Sequence, residues 1–153
     1  MYGTFLGCSS LTIAPEIPDT VINMDDTFHG CTNLINPPKI PNGVIEMDDT
    51  FHGCENLKEI KLSKNIKIIG SSAFDGCDSL ISITLPGSLT AIKDHAFANC
   101  DAIVTFSEGE FIKIIDGFII NVKEGTLISF AVRTTLLEST WPFTVVVLST
   151  LSF

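Results

Sequence analysis

The five cysteines of this chain are evenly spaced, and their spacing constrains the fold more than any other feature. They stand one every 23 positions, at Cys8, Cys31, Cys54, Cys77 and Cys100, and each is preceded by a phenylalanine three positions earlier, at Phe5, Phe28, Phe51, Phe74 and Phe97. The residue before each cysteine is glycine in the first four copies and Asn99 in the fifth. Columns that keep one period through five copies identify an internal repeat, and periods of about 20 to 50 residues indicate solenoids or similar arrays.

Each repeated column has a physical role in such a coil. A side chain that recurs once per turn stacks on its own copies along the axis, so we expect the phenylalanine and cysteine columns to form ladders in a shared interior. Glycine and asparagine tolerate a positive φ angle, so we expect the residue before each cysteine to end a short helical turn in the left-handed conformation. One repeat cannot bury its own apolar face, and stability therefore requires its neighbours.

The other half of the repeat has a strand pattern. Residues 57–62 and 80–85 both read LxxIxL, and their last three residues alternate apolar, polar and apolar, as a strand buried on one face requires. Five such strands in parallel, about 4.8 Å apart, predict a sheet roughly 25 Å wide. The expected fold is a repeat solenoid, a right-handed coil with a parallel β-sheet on one face and short helical turns or loops on the other.

Two sub-types share this one period. In the first two repeats a methionine, Met24 or Met47, lies four positions before the next phenylalanine, whereas in the next two an isoleucine, Ile69 or Ile92, lies five positions before it. The second sub-type therefore has one residue more between the isoleucine and the phenylalanine and one residue fewer in the preceding strand segment, so the period stays at 23. We therefore expect the stacking register to survive the change of sub-type.

Two segments carry a family resemblance. IKLSKNIKIIGSSAFDGC and ITLPGSLTAIKDHAFANC resemble the BspA-type leucine-rich repeats of bacterial and protist surface proteins, patterned LxxIxLPxxVxxIGxxAFxxC, and the resemblance covers residues 4–106. It implies a cell-surface or secreted protein, often one that adheres to host proteins, extracellular matrix or other cells.

The pattern changes after residue 106. Residues 107–132 predict a hairpin-like insertion, with a strand from Ile112 to Val122, a glycine-containing turn at 123–125 and a strand from Thr126 to Phe130. Residues 133–153 lose the repeat, and we interpret them as a degenerate end, a cap or a truncated segment in which Val145 to Leu148 is compatible with a strand. Both ends lack a polar capping repeat, so we expect a fragment of a longer array.

The cysteine spacing disfavours chemistry at the thiols. Metal ligands cluster at spacings such as CxxC, and stacked cysteines have parallel rather than converging Cβ vectors, which disfavours disulfides. We therefore favour a column of buried thiols over metal binding or disulfide bonds.

A second polar constellation also recurs. Asp25-Asp26 with His29 and Asp48-Asp49 with His52 occupy equivalent positions one repeat apart. Their oxygens suit a divalent cation. The simpler interpretation, which we favour, is a solvated acidic turn with one aspartate as a cap. We accordingly predict neither a metal nor a cofactor.

Composition excludes several functions. A net charge of -9 disfavours nucleic acid and anionic lipid as partners. The N-terminus shows no signal peptide, and no apolar stretch approaches the roughly 20 residues that span a bilayer. The motifs GxSxG, HExxH and GxxxxGK[ST] are missing from the sequence, so we expect no enzymatic activity.

The leading hypothesis is a protein-binding module that docks its partner on the strands. The candidate contact residues are Lys58, Glu59, Lys61, Ile81, Ser82 and Thr84. They differ between repeats, KEIK against ISIT, as a recognition surface would, whereas a pure spacer needs no such variation. The alternatives are a structural spacer within a larger surface protein and, less favoured, a fragment that neither folds well nor binds.

Overall fold

The computed structural model describes residues 1–100, 102–106, 112–115, 118–121, 126–129 and 146–147, with side chains described for 1–100 and 102. These residues form ten short strands and contain no α-helix. The strands are β1 (Glu46–Met47), β2 (Glu59–Lys61), β3 (Ile68–Ile69), β4 (Ser82–Leu85), β5 (Ala91–Ile92), β6 (Ile103–Phe106), β7 (Ile112–Ile115), β8 (Phe118–Asn121), β9 (Thr126–Ser129) and β10 (Val146–Val147).

Two parallel sheets follow the stacked repeats. In the first, β2, β4 and β6 pair in parallel, with Ile60 opposite Ile83 and Ile83 opposite Val104. In the second, β1, β3 and β5 also pair in parallel. Equivalent strands of successive repeats lie side by side, which confirms the predicted solenoid with a parallel sheet on one face.

The first sheet is shorter than the sequence predicted. In the first two repeats the strand column is reduced to one isolated bridge between Ile13 and Asn36, so the prediction of five parallel strands was wrong. Pro37 and Pro38 follow directly after Asn36 and lack the N–H donors that a ladder needs. At the other edge, β10 pairs antiparallel with β6.

Hydrogen-bonded turns occupy the opposite side of each repeat, where short helical turns were expected. Within a repeat, the Cys31 N–H donates to the carbonyl of Phe28 three residues earlier. Alternate amides point along the coil axis instead: the Phe28 N–H donates to the Thr50 carbonyl at 3.0 Å and the Gly30 N–H to the His52 carbonyl at 2.7 Å. Because alternate amides bond to the next repeat, the segment does not continue as a helix.

Left-handed residues produce this alternation. The predicted column is confirmed, with φ between 67° and 71° at Gly7, Gly30, Gly53 and Gly76 and 50° at Asn99. A second left-handed column, four positions earlier, was not predicted; it consists of Gly3, Asp26, Asp49, Ser72 and His95, with φ between 47° and 57°. Each turn segment is therefore bounded by two positive-φ residues.

The interior is built from the phenylalanine and cysteine columns. Neighbouring rings of Phe5, Phe28, Phe51, Phe74 and Phe97 stack with centroids 5.3 to 5.7 Å apart. The cysteines Cys31, Cys54, Cys77 and Cys100 are buried, and none of the five cysteines forms a disulfide. Cys8 departs from the buried column: it is exposed, because no earlier repeat among the described residues covers it.

The junction of the two sub-types keeps the register as predicted. Met47 lies opposite Ile69, one position short of a full period along the chain, whereas Ile69 lies opposite Ile92, a full period away. Gly70 is the additional residue of the longer segment, and its N–H donates to the Met47 carbonyl at 2.9 Å. The sheet and the phenylalanine ladder therefore remain aligned across a change in segment length.

Strands β7, β8 and β9 form an antiparallel sheet. The single strand predicted from Ile112 to Val122 is divided into β7 and β8, while the second predicted strand corresponds to β9. The predicted turn at 123–125 and most of the tail at 133–153 lie outside the described residues, so the predicted domain boundaries at 106 and 132 stay predictions. In the part of the chain that the structure describes, no helix is long and apolar enough to cross a bilayer.

Candidate functional site: the strand face and its groove

The six candidate contact residues are all exposed, and the structure places them on or beside β2 and β4. The list comprises Lys58, Glu59, Lys61, Ile81, Ser82 and Thr84. Between them, Ile60 and Ile83 point inward, with 7% and 1% of their surfaces exposed. Strand alternation is the physical cause, because successive side chains leave opposite faces of a sheet. We refer to these six residues as the strand face.

The pairing of β2 with β4 brings the six residues together. Glu59 lies opposite Ser82, Lys61 opposite Thr84, and the Ile81 N–H donates to the Lys58 carbonyl at 3.1 Å. The strand face therefore has a charged row on β2 beside a neutral row on β4.

Apolar residues that the sequence analysis did not select extend this surface. Ile35 stands one repeat before Lys58 and is 42% exposed, and Ile13, in the column of Glu59, is 64% exposed. Together with Ile81, at 66%, they give the surface three exposed isoleucines. The signal was present in the sequence, since both residues follow from counting whole periods back along the strand columns.

A groove of about 670 Å³ opens beside β2. Residues 36–40 and Asn42 form one wall and residues 59–64 the other. The groove lies where Pro37 and Pro38 end the hydrogen-bond ladder, so the second repeat does not pair with β2 as β4 does. Farther along, the Ser63 hydroxyl contacts the Asn42 side-chain oxygen at 3.0 Å, and the Asn65 side-chain amide donates to the Asn42 carbonyl at 3.0 Å. These contacts hold the two walls together at one end.

The groove is basic although the chain is acidic. Lys39, Lys61 and Lys64 line it against a single carboxylate, Glu59, whereas the whole chain carries a net charge of -9. Lys39 has an ion pair with Asp19 at 3.8 Å, but both side chains are 80% exposed, and such a pair contributes little. The lysines therefore remain available to a ligand.

The aspartates that the sequence offered as cation ligands divide into two columns with different roles. Asp25 Oδ1 accepts the Asp48 N–H at 3.2 Å, and Asp48 Oδ1 accepts the Ser71 N–H at 2.7 Å. These two carboxylates therefore connect successive repeats. Asp26 and Asp49 instead face histidines of their own repeats, and His29, Asp49 and His52 lie together in one cluster.

Parallel strands on one face, turns on the other and aromatic ladders between them define a leucine-rich-repeat solenoid. The family described as BspA type Leucine rich repeat region matches residues 2–120 in six copies, and the chain belongs to this family. Proteins of this class are generally interaction or structural modules, and no enzyme family is indicated.

Two solved structures are similar in fold and sequence. A leucine rich repeat protein from T. pallidum is 31% identical with a TM-score of 0.59, over 67% of this chain and 49% of that chain. One from Bacteroides ovatus is 38% identical with a TM-score of 0.57, over 68% of this chain and 27% of that chain. The matched region thus spans about half and about a quarter of those proteins. A search of curated proteins finds no significant match.

Proposed function

We propose that this chain is a protein-binding module of a cell-surface or secreted protein, and that it contributes to adhesion by docking a host-cell or extracellular-matrix protein on the strand face. The location and the adhesive role are proposed from the resemblance to the BspA-type family. The main observation in support of this docking site is the basic groove that adjoins exposed residues of β2.

The surface has the physical elements of a contact site. Recognition surfaces combine a concave region with a few apolar anchors and polar groups that fix the orientation of the ligand. Here Ile35 and Ile81 are exposed apolar groups, and Glu59 and Lys61 belong both to the strand face and to the wall of the groove.

Charge indicates the kind of segment that fits. Three lysines against one glutamate favour an acidic stretch of the partner, because complementary charge raises the association rate and fixes the register. The acidic remainder of the chain repels such a partner elsewhere and so directs it to the groove.

The test uses purified chain and an immobilised panel of extracellular-matrix and epithelial surface proteins. Lys61→Glu is expected to weaken binding at least ten-fold, whereas Glu59→Lys is expected to tighten it. Lys67→Glu is the matched control, since Lys67 is exposed but lies outside the groove, next to β3. Added salt should weaken binding of the unmodified chain.

Two outcomes contradict the proposal. If no member of the panel binds, the chain acts as a spacer, which needs no ligand. If Lys67→Glu weakens binding as much as Lys61→Glu, the effect is one of overall charge and the groove is not the docking site.

A further inference from the structure

We propose that His29, His52 and Asp49 form a binding site for a divalent transition metal ion of the Zn²⁺ type at the junction of the second and third repeats. One ligand atom from each of these side chains lies within 4.8 Å of the other two. The site is separate from the strand face, because all three residues belong to the turn side of the repeat.

The two imidazole rings stack one repeat apart and would have to turn toward each other to share an ion. Their centroids are 4.4 Å apart with an interplanar angle of 19°. The Nδ1 atom of each ring contacts the carboxylate three residues earlier in its own repeat. The distance from His29 Nδ1 to Asp26 Oδ1 is 3.4 Å, and that from His52 Nδ1 to Asp49 Oδ1 is 3.0 Å. The same histidine–aspartate pair is thus placed twice, one repeat apart.

The two histidines offer an ion different ring nitrogens. For His29, the Asp26 carboxylate faces Nδ1 and leaves the lone pair on Nε2 for an ion, and metal-binding histidines commonly have such a partner. Asp49 Oδ1 and His52 Nδ1 are 3.0 Å apart, so both can bind one ion, which then replaces the proton between them. Two imidazole nitrogens and one carboxylate oxygen are donors suited to zinc and its neighbours rather than to Mg²⁺ or Ca²⁺.

The distances are within reach of a coordinated state. Tetrahedral Zn²⁺ with bonds of about 2.0 Å places its ligand atoms about 3.3 Å apart, so the widest separation in the cluster must close by up to about 1.5 Å. The side chains of His29, His52 and Asp49 are each about one third exposed, at 36%, 35% and 34%. They can rotate toward an ion without unpacking the interior, and water can complete the coordination.

A different arrangement competes for His52. Its Nε2 is 4.0 Å from Asp75 Oδ2, so a protonated His52 would pair with Asp49 on one side and Asp75 on the other. This ion-paired column would need no metal. Titration with Zn²⁺ separates the two states, because only the coordinated state gains affinity for the ion.

The sequence limits the chain to one such site in the repeats. The column that contains the histidines reads Leu6, His29, His52, Asp75 and Ala98, so two histidines adjoin at a single junction. The third histidine of the chain, His95, lies in the second left-handed column rather than in this one. It therefore provides a matched control.

Isothermal titration of the full chain with Zn²⁺ is expected to show one saturable site. His29→Asn and His52→Asn should each weaken binding at least ten-fold, while His95→Asn leaves it unchanged. Cys8→Ser should also leave it unchanged, which excludes the exposed thiol as a ligand. With Co²⁺ the site should give visible absorption bands without a thiolate charge-transfer band. Zn²⁺ should raise the melting temperature of the unmodified chain but not that of the His29→Asn/His52→Asn double variant.

Several results would overturn the site. They are the absence of saturable Zn²⁺ binding, undiminished binding by the folded double variant, loss of binding in Cys8→Ser, and equally tight binding of Mg²⁺, which would indicate only an acidic surface. Far-UV circular dichroism of the metal-free variants checks that they remain folded. Loss of the fold in the Asn variants would itself assign these histidines a structural role and contradict a site made from freely rotating side chains.

Discussion

The Cys54 thiol donates a hydrogen bond to the backbone carbonyl oxygen of Phe28, 3.1 Å away, across a repeat boundary. The same oxygen accepts the Cys31 N–H at 3.0 Å, so both of its lone pairs are used inside the core. Cys77 makes the equivalent contact with Phe51 at 3.2 Å. The column therefore favours cysteine for two reasons: the side chain is small and apolar enough for the interior, and it carries a donor for a buried carbonyl.

Cys54→Asp is expected to destabilise the chain by several kcal/mol, because a carboxylate at this fully buried position has no cationic partner. Cys8→Asp introduces the same group in the same column at an exposed position and should have little effect. Urea unfolding followed by circular dichroism measures both. Equal stability of the Cys54→Asp variant and the unmodified chain would refute a buried thiol column.

Alkaline pH should weaken the fold through the same residues. Burial raises the pKa of Cys31 from its ordinary value of 9.0 to about 11, and burial raises the pKa values of Cys54 and Cys77 as well. Above pH 9 the unfolded chain therefore releases thiol protons that the folded chain retains. Stability is intact below the unfolded pKa and declines as the pH rises toward the folded value, by at most about 1.4 kcal/mol per pH unit for each thiol.

Urea unfolding at pH 8, 9 and 10 tests this dependence. The Cys54→Ala variant has one buried thiol fewer, so its unfolding free energy should decline less steeply than that of the unmodified chain, although it is lower at pH 8. Parallel decline in the two proteins would show that groups other than the thiols set the pH dependence.

The repeat period made most of the fold predictable. A constant period forces identical side chains to stack, so the phenylalanine ladder and the inward cysteines follow from spacing alone. Alternation in the strand segments likewise predicted that Glu59 and Lys61 are exposed. The repeat pattern predicts a strand at residues 36–40, but Pro37 and Pro38 cannot donate to a ladder, and this explains the interruption of the sheet.

Other features depend on packing between repeats and have a weak sequence signal. The second left-handed column contains glycine, aspartate, serine and histidine, and serine has no preference for positive φ. The groove forms between residues that are nearly a full period apart and contact only in the folded coil. The different contacts of Asp25 and Asp26 also depend on packing between repeats, because the neighbouring repeat supplies the N–H that Asp25 accepts.

Gly70→Ala should be strongly destabilising for its size, because the added Cβ would lie 2.5 Å from the Met47 carbonyl oxygen and closer still to the Asp48 carboxylate. The backbone oxygen cannot move away without disturbing the pairing of β1 with β3. We expect a loss of about 1–3 kcal/mol. Ser71→Ala is the neighbouring control, since the Ser71 N–H that Asp48 accepts is kept. Thermal unfolding of both variants checks the prediction, and equal melting temperatures would contradict the close approach.

His95→Gly should stabilise the chain, although it removes a whole side chain. His95 is exposed and has a φ of 57°, a conformation that costs an ordinary L-residue roughly 1–2 kcal/mol and glycine almost nothing. Glycine also destabilises the folded state by about 0.5–1 kcal/mol, because it increases the conformational entropy of the unfolded chain. A net gain of about 0.5–1 kcal/mol is expected from the difference. Asp94→Gly, at an exposed neighbour without a positive φ, brings only the entropic penalty and should destabilise by a similar amount. Chemical unfolding of the two variants should therefore give shifts of opposite sign, and shifts of the same sign would show that the second left-handed column is not held at position 95.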